Sequence, residues 1–352
     1  MILTIVIFIA ILVILILFHE FGHFIVAKAM GVKVKEFAFG FPPRLFSIVK
    51  NGTRYSFNLI PLGGYVSLLG EDDSNKEPDS YFTKKVWQKI LIVSTGVVMN
   101  FILAIIVLSI GFTIGMTPLV SDPTTLAGQK TSQVMVVQVV PDSPAAKIGL
   151  EPGDILNGFS SPNDLQQFTR AHAGEVIDLS LSKNSHSVEQ SQVQLEGGEA
   201  PLGVGVVSIT KVKQPFFQAI WTAVVEVGRS IAVIFVVLGQ IIKSLFTTGT
   251  TGEAGVGVVG PVGIYNFTAQ ALKVGWIYIL QLLAIFSINL GIINILPFPA
   301  LDGGKILFLG LEGIFRKKVI RQEVENLIHT IGFILLIILL LVITFRDILR
   351  FR

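Results

Sequence analysis

From Met1 to Ala27 the chain carries no Lys, Arg or Asp, and its only ionisable side chains in that run are His19, Glu20 and His23. A run of this length crosses a hydrocarbon core of about 30 Å as a helix rising about 1.5 Å per residue. The three polar groups are therefore carried to membrane depth, where ionisable side chains are costly and mark a functional site by default. A cleaved signal peptide is the alternative for such a start, but no basic residue precedes the apolar run and the run is too long.

Three more runs lack Lys, Arg, Asp and Glu: Ile90–Ser121, Val274–Leu301 and Asn326–Phe345. Each is long enough to span, at about 90–116, 274–296 and 326–345, so the fold class is a polytopic α-helical membrane protein with about four transmembrane helices. Half the chain is apolar (51%) and only 14% is charged, which excludes an ordinary soluble domain. A net charge of +3, with no basic stripe interleaved with aromatics, gives no reason to expect nucleic acid. Cysteine is absent, so any metal must be held by His, Asp or Glu.

Between the second and third spans the composition turns polar. Alternating runs at Gln133–Val140, Val176–Leu181 and Val188–Leu195 read as strands of a folded module over 129–211. Within it, Pro141 to Leu156 reads as a strand end, a short helix and a Gly153-Asp154 turn into another strand.

His19-Glu20-Phe21-Gly22-His23 is an H-E-x-x-H motif. On a helix His19 and His23 share one face and can bind one Zn²⁺ through neutral imidazoles, with Glu20 beside them as candidate general base. A catalytic zinc site keeps three protein ligands, so a third is required. Asp302 leads, because Pro297 and Pro299 break the third span just before it and free backbone groups there. His172, His186 and His329 rank below it. The first two belong to the polar module, and His329 reads as an interfacial polar residue opening the fourth span.

These features together resemble the bacterial site-2 proteases, intramembrane zinc metalloproteases with a single PDZ domain. The resemblance rests on H-E-x-x-H in the first span, the module with its Pro141–Leu156 stretch, and Asn294-Ile295-Leu296-Pro297-Phe298-Pro299-Ala300-Leu301-Asp302-Gly303-Gly304. It extends to Ile60–Val66, Met99-Asn100-Phe101 and Gly260–Ile264, and departs at Gly96-Val97, where the family has Gly-Pro. It implies peptide hydrolysis within the membrane by one Zn²⁺ per chain on His19, His23 and Asp302, with Glu20 as base and Asn294 in substrate positioning. The implied partners are single-span membrane proteins, the lipid bilayer, and peptide ends at a groove of the PDZ-like module.

The chain then divides into an N-terminal membrane part (1–122), the PDZ-like α+β domain (129–211), an apolar helix over 215–246 and a C-terminal membrane part (260–352). Ten Lys/Arg in 28–89, with Lys305, Arg316, Lys317, Lys318 and Arg321 between the last two spans, make both loops cytoplasmic and the PDZ-like domain extracytoplasmic in a plasma membrane. Arg346, Arg350 and Arg352 run against this rule. Asp302 meets His19 only if the helix over 215–246 makes no net crossing. Just 13 residues separate Arg229 from Lys243, so an interfacial or re-entrant helix is expected. Over 31–70, Arg54–Leu59 and Tyr65–Leu69 read as a membrane-associated β-hairpin around Pro61–Gly64. Gly63, Gly64 and Tyr65 are thereby placed where an unwound substrate strand could pair. Two other classes compete: a PDZ adaptor with structural zinc, and a broken-helix transporter, for which the chain offers no internal repeat.

Overall fold

The computed structural model describes residues 2–71, 76–183, 187–198, 200–247, 260–317 and 320–350. His186, Lys318 and Arg352 lie outside these. The chain forms two compact units, one of residues 1–106, 230–266 and 283–352, the other of 107–229 and 267–282.

In the first unit, α1 (Ile2–Ala29) and α2 (Val86–Ile114) are apolar around their circumference, as helices facing lipid or other helices must be. They meet where Gly22 lies under α2: a Cβ there would sit 2.5 Å from the Thr95 carbonyl oxygen. α7 (Trp276–Ile295) joins α2 through Gly291, on which the Phe101 ring rests, and through the Ser287 hydroxyl, which donates to the Asn100 carbonyl at 2.7 Å. A short α8 (Asp302–Phe315) leads to α9 (Gln322–Arg350), whose large apolar side chains from Leu327 to Phe345 are mostly exposed and suited to lipid contact.

The sheet of this unit corrects the expected hairpin. β1 (Val34–Lys50) and β2 (Thr53–Leu68) are long, bent strands that pair with each other along three stretches, 34–39 with 64–68, 36–39 with 54–57 and 41–50 with 53–60. Phe37, Ala38 and Phe39 pair on one side with Val66, Tyr65 and Gly64, and on the other with Tyr55, Ser56 and Phe57. Residues 54–59 and 65–68 are thus not partners, because 36–39 lies between them. The tight turn is instead at Asn51-Gly52, with φ of 51° and 74°, the left-handed pair a two-residue hairpin requires. The glycines at 63 and 64 serve close approach. A Cβ on Gly63 would meet the Phe41 ring at 2.5 Å, and one on Gly64 would lie 2.8 Å from Ile16 Cγ2 and 3.2 Å from Glu20 Cγ.

The second unit is built on an antiparallel five-stranded sheet in the order β6-β5-β4-β3-β7. Its strands are β3 (Gln129–Val139), β4 (Ile155–Leu156), β5 (Val176–Lys183), β6 (Ser187–Gln194) and β7 (Val204–Lys213). Alternation puts Val134, Val136, Leu179, Leu181 and Val193 into one core with Leu150, Leu156 and Leu165. Ser143 caps α3 (Pro144–Lys147) and Ser161 caps α4 (Pro162–Ala171), each followed by proline at the first helical position. Sequence alternation locates β3, β5 and β6; β7, which closes the sheet on the other side, was not expected.

α5 (Phe216–Thr247) is one continuous helix, and its Phe216–Ile241 stretch is long and apolar enough to span. Five described helices meet that criterion, against four expected spans. The expectation counted Glu226 and Arg229 as interruptions, but both are used internally. Glu226 is fully buried and accepts the backbone N–H groups of Leu119 (2.8 Å), Val120 (3.0 Å) and Ser121 (3.1 Å), while Arg229 donates to the Ser121 hydroxyl at 2.6 Å. Glu226→Ala would strand three inward-facing donors, each worth about 1–3 kcal/mol when unsatisfied. Allowing for water entering the space left, the variant is expected to lose about 3 kcal/mol, read as a thermal midpoint several degrees lower in the intact chain.

Candidate metal centre

His19 and His23 lie one turn apart on α1, with their Nε2 atoms 3.3 Å from each other. Asp302 Oδ2 is 3.2 Å from His19 Nε2 and 3.3 Å from His23 Nε2. The three atoms form a nearly equilateral triangle. A tetrahedral zinc ion with bonds of about 2.0–2.1 Å requires ligand-to-ligand edges of about 3.3–3.4 Å, so this donor set fits zinc with the fourth position open. Among the described residues it is the one group of three or more His, Asp or Glu side chains arranged to hold a metal. The side chains are 12%, 13% and 16% exposed for His19, His23 and Asp302.

Neighbouring groups set the imidazoles. His23 Nδ1 lies 2.9 Å from the Ile92 carbonyl oxygen, so Nδ1 carries the proton and Nε2 presents its lone pair to a metal. His19 Nδ1 faces the Asn100 amide at 3.1 Å, and the Asn100 oxygen, in a residue with no exposure, has no partner. Turning that amide about its axis lets Nδ1–H donate to the oxygen and leaves His19 Nε2 free to ligate. Gly96 completes the α2 wall. A Cβ there would lie 2.3 Å from His23 Nε2 and 2.8 Å from His19 Cε1, so only glycine lets α2 approach the imidazoles.

Asp302 is delivered by a turn that no regular element supplies. α7 stops at Ile295, Ala300 takes a φ of 74°, and α8 begins at Asp302. Gly303 and Gly304 let the chain fold back on itself: a Cβ on either would come within 2.4 Å of the carbonyl oxygens of Leu296 or Phe298. One turn along α8, Lys305 pairs with Glu71 at 2.7 Å, and that carboxylate pushes the ammonium above the usual lysine range. Glu20 lies against Gly64 of β2 and contributes no atom to the triangle. The Asn294 amide nitrogen is 3.5 Å from His19 Nε2, close to where a metal would sit.

The two competing histidines among the described residues, His172 and His329, are not in the donor triangle. His172 closes α4 with Nδ1 2.9 Å from the Phe168 carbonyl oxygen. His329 accepts a hydrogen bond from the Ala300 backbone. Sequence reasoning passed over the roles of Asn100, Ile92 and Gly96; the Met99-Asn100-Phe101 resemblance and the departure at Gly96-Val97 were the signals that pointed near them.

Family comparison agrees with this geometry. The model of peptidase family M50 matches residues 7–339. The chain belongs to peptidase family M50. It is similar to zinc metalloprotease RasP of Oceanobacillus iheyensis, 29% identical over 99% of both chains, and to the regulator of sigma-W protease RasP of Bacillus subtilis, 29% identical over 99% of this chain and 98% of the other. A Clostridium perfringens relative is 32% identical over 95% of both. The M50 chain described here is accordingly a zinc metalloprotease with several helices apolar enough for a multi-pass membrane protein.

Proposed function

We propose that this M50 protease cuts the transmembrane segments of single-span membrane proteins with one zinc ion held by His19, His23 and Asp302. The observation that carries this reading is the depth of the donor set: His19 lies ten residues, about 15 Å, before the carboxyl end of an apolar α1. Zinc bound there supplies Lewis acidity to the scissile carbonyl and makes a water easier to deprotonate. Glu20 takes that proton and passes it to the leaving amine. Asn294, beside the donor triangle, holds the substrate backbone.

A helix hides its carbonyls in its own hydrogen bonds, so the substrate must be extended before attack. Residues 64–68 pair with 34–39 on one side only, and Gly64 lies beside Glu20. An extended substrate adding to that edge, along the backbone of Gly63, Gly64 and Tyr65, would present its peptide bonds to the base.

Parity supports a topology of four crossings with α5 at the interface. Asp302 meets His19, so α7 and α1 end on the same side. Gly260 and Gly263 donate to Asp347, which lies eighteen residues or about 27 Å along α9 from His329 beside the site. The start of α6 (Pro261–Val274) is therefore on the side away from the site, the side to which a single crossing by α2 would also bring the chain. α5 then joins two points on that side. Its exposed Phe217 (84%) and Trp221 (69%) suit a membrane interface, and its unbroken run favours an interfacial over a re-entrant form. The basic loops put the site toward the cytoplasm and the five-stranded domain outside.

That domain is PDZ-like. A cavity of about 230 Å³ runs between α4 and edge strand β7, lined by Leu165, Thr169, Leu202, Gly203, Val204 and Val206, and suits a chain end added as a strand. The Bacillus subtilis relative is named a regulator of sigma-W protease; with the resemblance to site-2 proteases, anti-sigma factors or signal-peptide remnants are the proposed substrate class.

The test is capture. Glu20→Gln purified from its native membranes should retain single-span membrane proteins with shortened external ends, and Glu20→Gln carrying His23→Ala should not. Capture that is indifferent to the zinc ligands and depends only on the PDZ-like domain would make the protein an adaptor.

A further inference from the structure

We infer that His329, on α9, is a positioning residue for the zinc ligand Asp302. This rests on the zinc reading above and adds a residue to that site. Ala300, two residues before the ligand, is one of four non-glycine residues with positive φ among the described residues, and its backbone N–H donates to His329 Nδ1 at 2.9 Å. A left-handed alanine persists only where its surroundings determine it. Here the determinants come from α9. Gly332, one turn beyond His329, lies so close to the same turn that a Cβ would sit 2.5 Å from Pro299 Cβ and 2.7 Å from its carbonyl oxygen. The Phe308 ring meets the imidazole edge-on, with centroids 5.6 Å apart, and fixes its plane.

Because Ala300 donates, Nδ1 must carry a lone pair and the proton sits on Nε2. Nε2 is buried and has no hydrogen-bond partner among the described residues, so the imidazole's bonding within the fold is spent on the turn. The chain from Pro299 to Asp302 is thus held by a side-chain acceptor and a glycine contact on one face of α9, and the carboxylate is aimed at His19 and His23 as a result. His329 touches neither metal nor substrate.

The experiment uses full-length, zinc-loaded protein in detergent, challenged with a chelator, and reads the rate of zinc release and the thermal midpoint of the metal-free form. His329→Leu removes the acceptor at similar volume and is expected to release zinc on the order of 10-fold faster than wild type, at the low end of the effect of groups that support a ligand. His329→Asn places Oδ1 where Nδ1 was and should stay within about 2-fold of wild type, whereas His329→Gln puts its oxygen one bond too far and should behave as Leu. Should the Leu variant fail to fold, Asn against Gln decides alone. Release at the wild-type rate by both Gln and Leu overturns the inference, as does a rate that simply follows the metal-free midpoint across all variants. Wild-type protein that holds no zinc overturns the metal reading itself.

Discussion

Gly96→Ala should empty the metal site while improving the helix that carries it. Alanine is favoured over glycine inside a helix by about 1 kcal/mol, so α2 taken alone gains. The added methyl, however, would sit 2.3 Å from His23 Nε2, 2.6 Å from its Cε1 and 2.8 Å from His19 Cε1. Both imidazoles are held from behind, His23 by the Ile92 carbonyl and His19 by Asn100, so neither can swing away without losing the bond that orients it. Zinc affinity is expected to fall on the order of 100-fold, the upper range for disturbing what orients a ligand, and proteolysis with it. Gly228→Ala on α5, where a Cβ would meet nothing within 4 Å, is the control and should leave zinc content unchanged. Full zinc occupancy in Gly96→Ala would show that α2 does not wall the site.

Glu20→Gln should have the opposite signature, with zinc retained and cleavage lost. Glu20 contributes no atom to the donor triangle, so metal content should match wild type. The amide can neither take the proton of water nor deliver it to the leaving amine, and a positioned general base is worth about 10²–10⁴ in rate. Turnover measured at saturating substrate should fall in that range. Loss of zinc in this variant would instead make Glu20 a ligand, whereas Asp302→Asn is the change that should release the metal.

Much of the candidate metal centre was legible in the sequence because its signal is local. H-E-x-x-H puts two imidazoles on one helical face by spacing alone, and Pro297 and Pro299 announce a broken helix before Asp302. What was not legible depends on contacts between distant residues. The bond from His23 to Ile92 joins positions 69 apart, and that from His19 to Asn100 joins positions 81 apart. No periodicity reports such pairs. The sheet was misjudged for a related reason: alternation identifies strands but not their neighbours, and two glycines that admit Glu20 and Phe41 looked like a turn, while Asn51-Gly52 went unnoticed. In α5, charges that interrupt a hydropathy profile proved to be satisfied about a hundred positions earlier, Glu226 by the backbone of residues 119–121 and Arg229 by the Ser121 hydroxyl.

The most direct measurement is the position of the cut. Wild-type protein reconstituted in liposomes with a single-span membrane protein whose external part has been removed should generate new chain ends, mapped by mass spectrometry, inside the apolar segment of about 20 residues. The same ends should be absent with Glu20→Gln and after zinc removal. Cleavage confined to the polar flanks, or cleavage that persists without zinc or Glu20, would contradict an intramembrane metalloprotease.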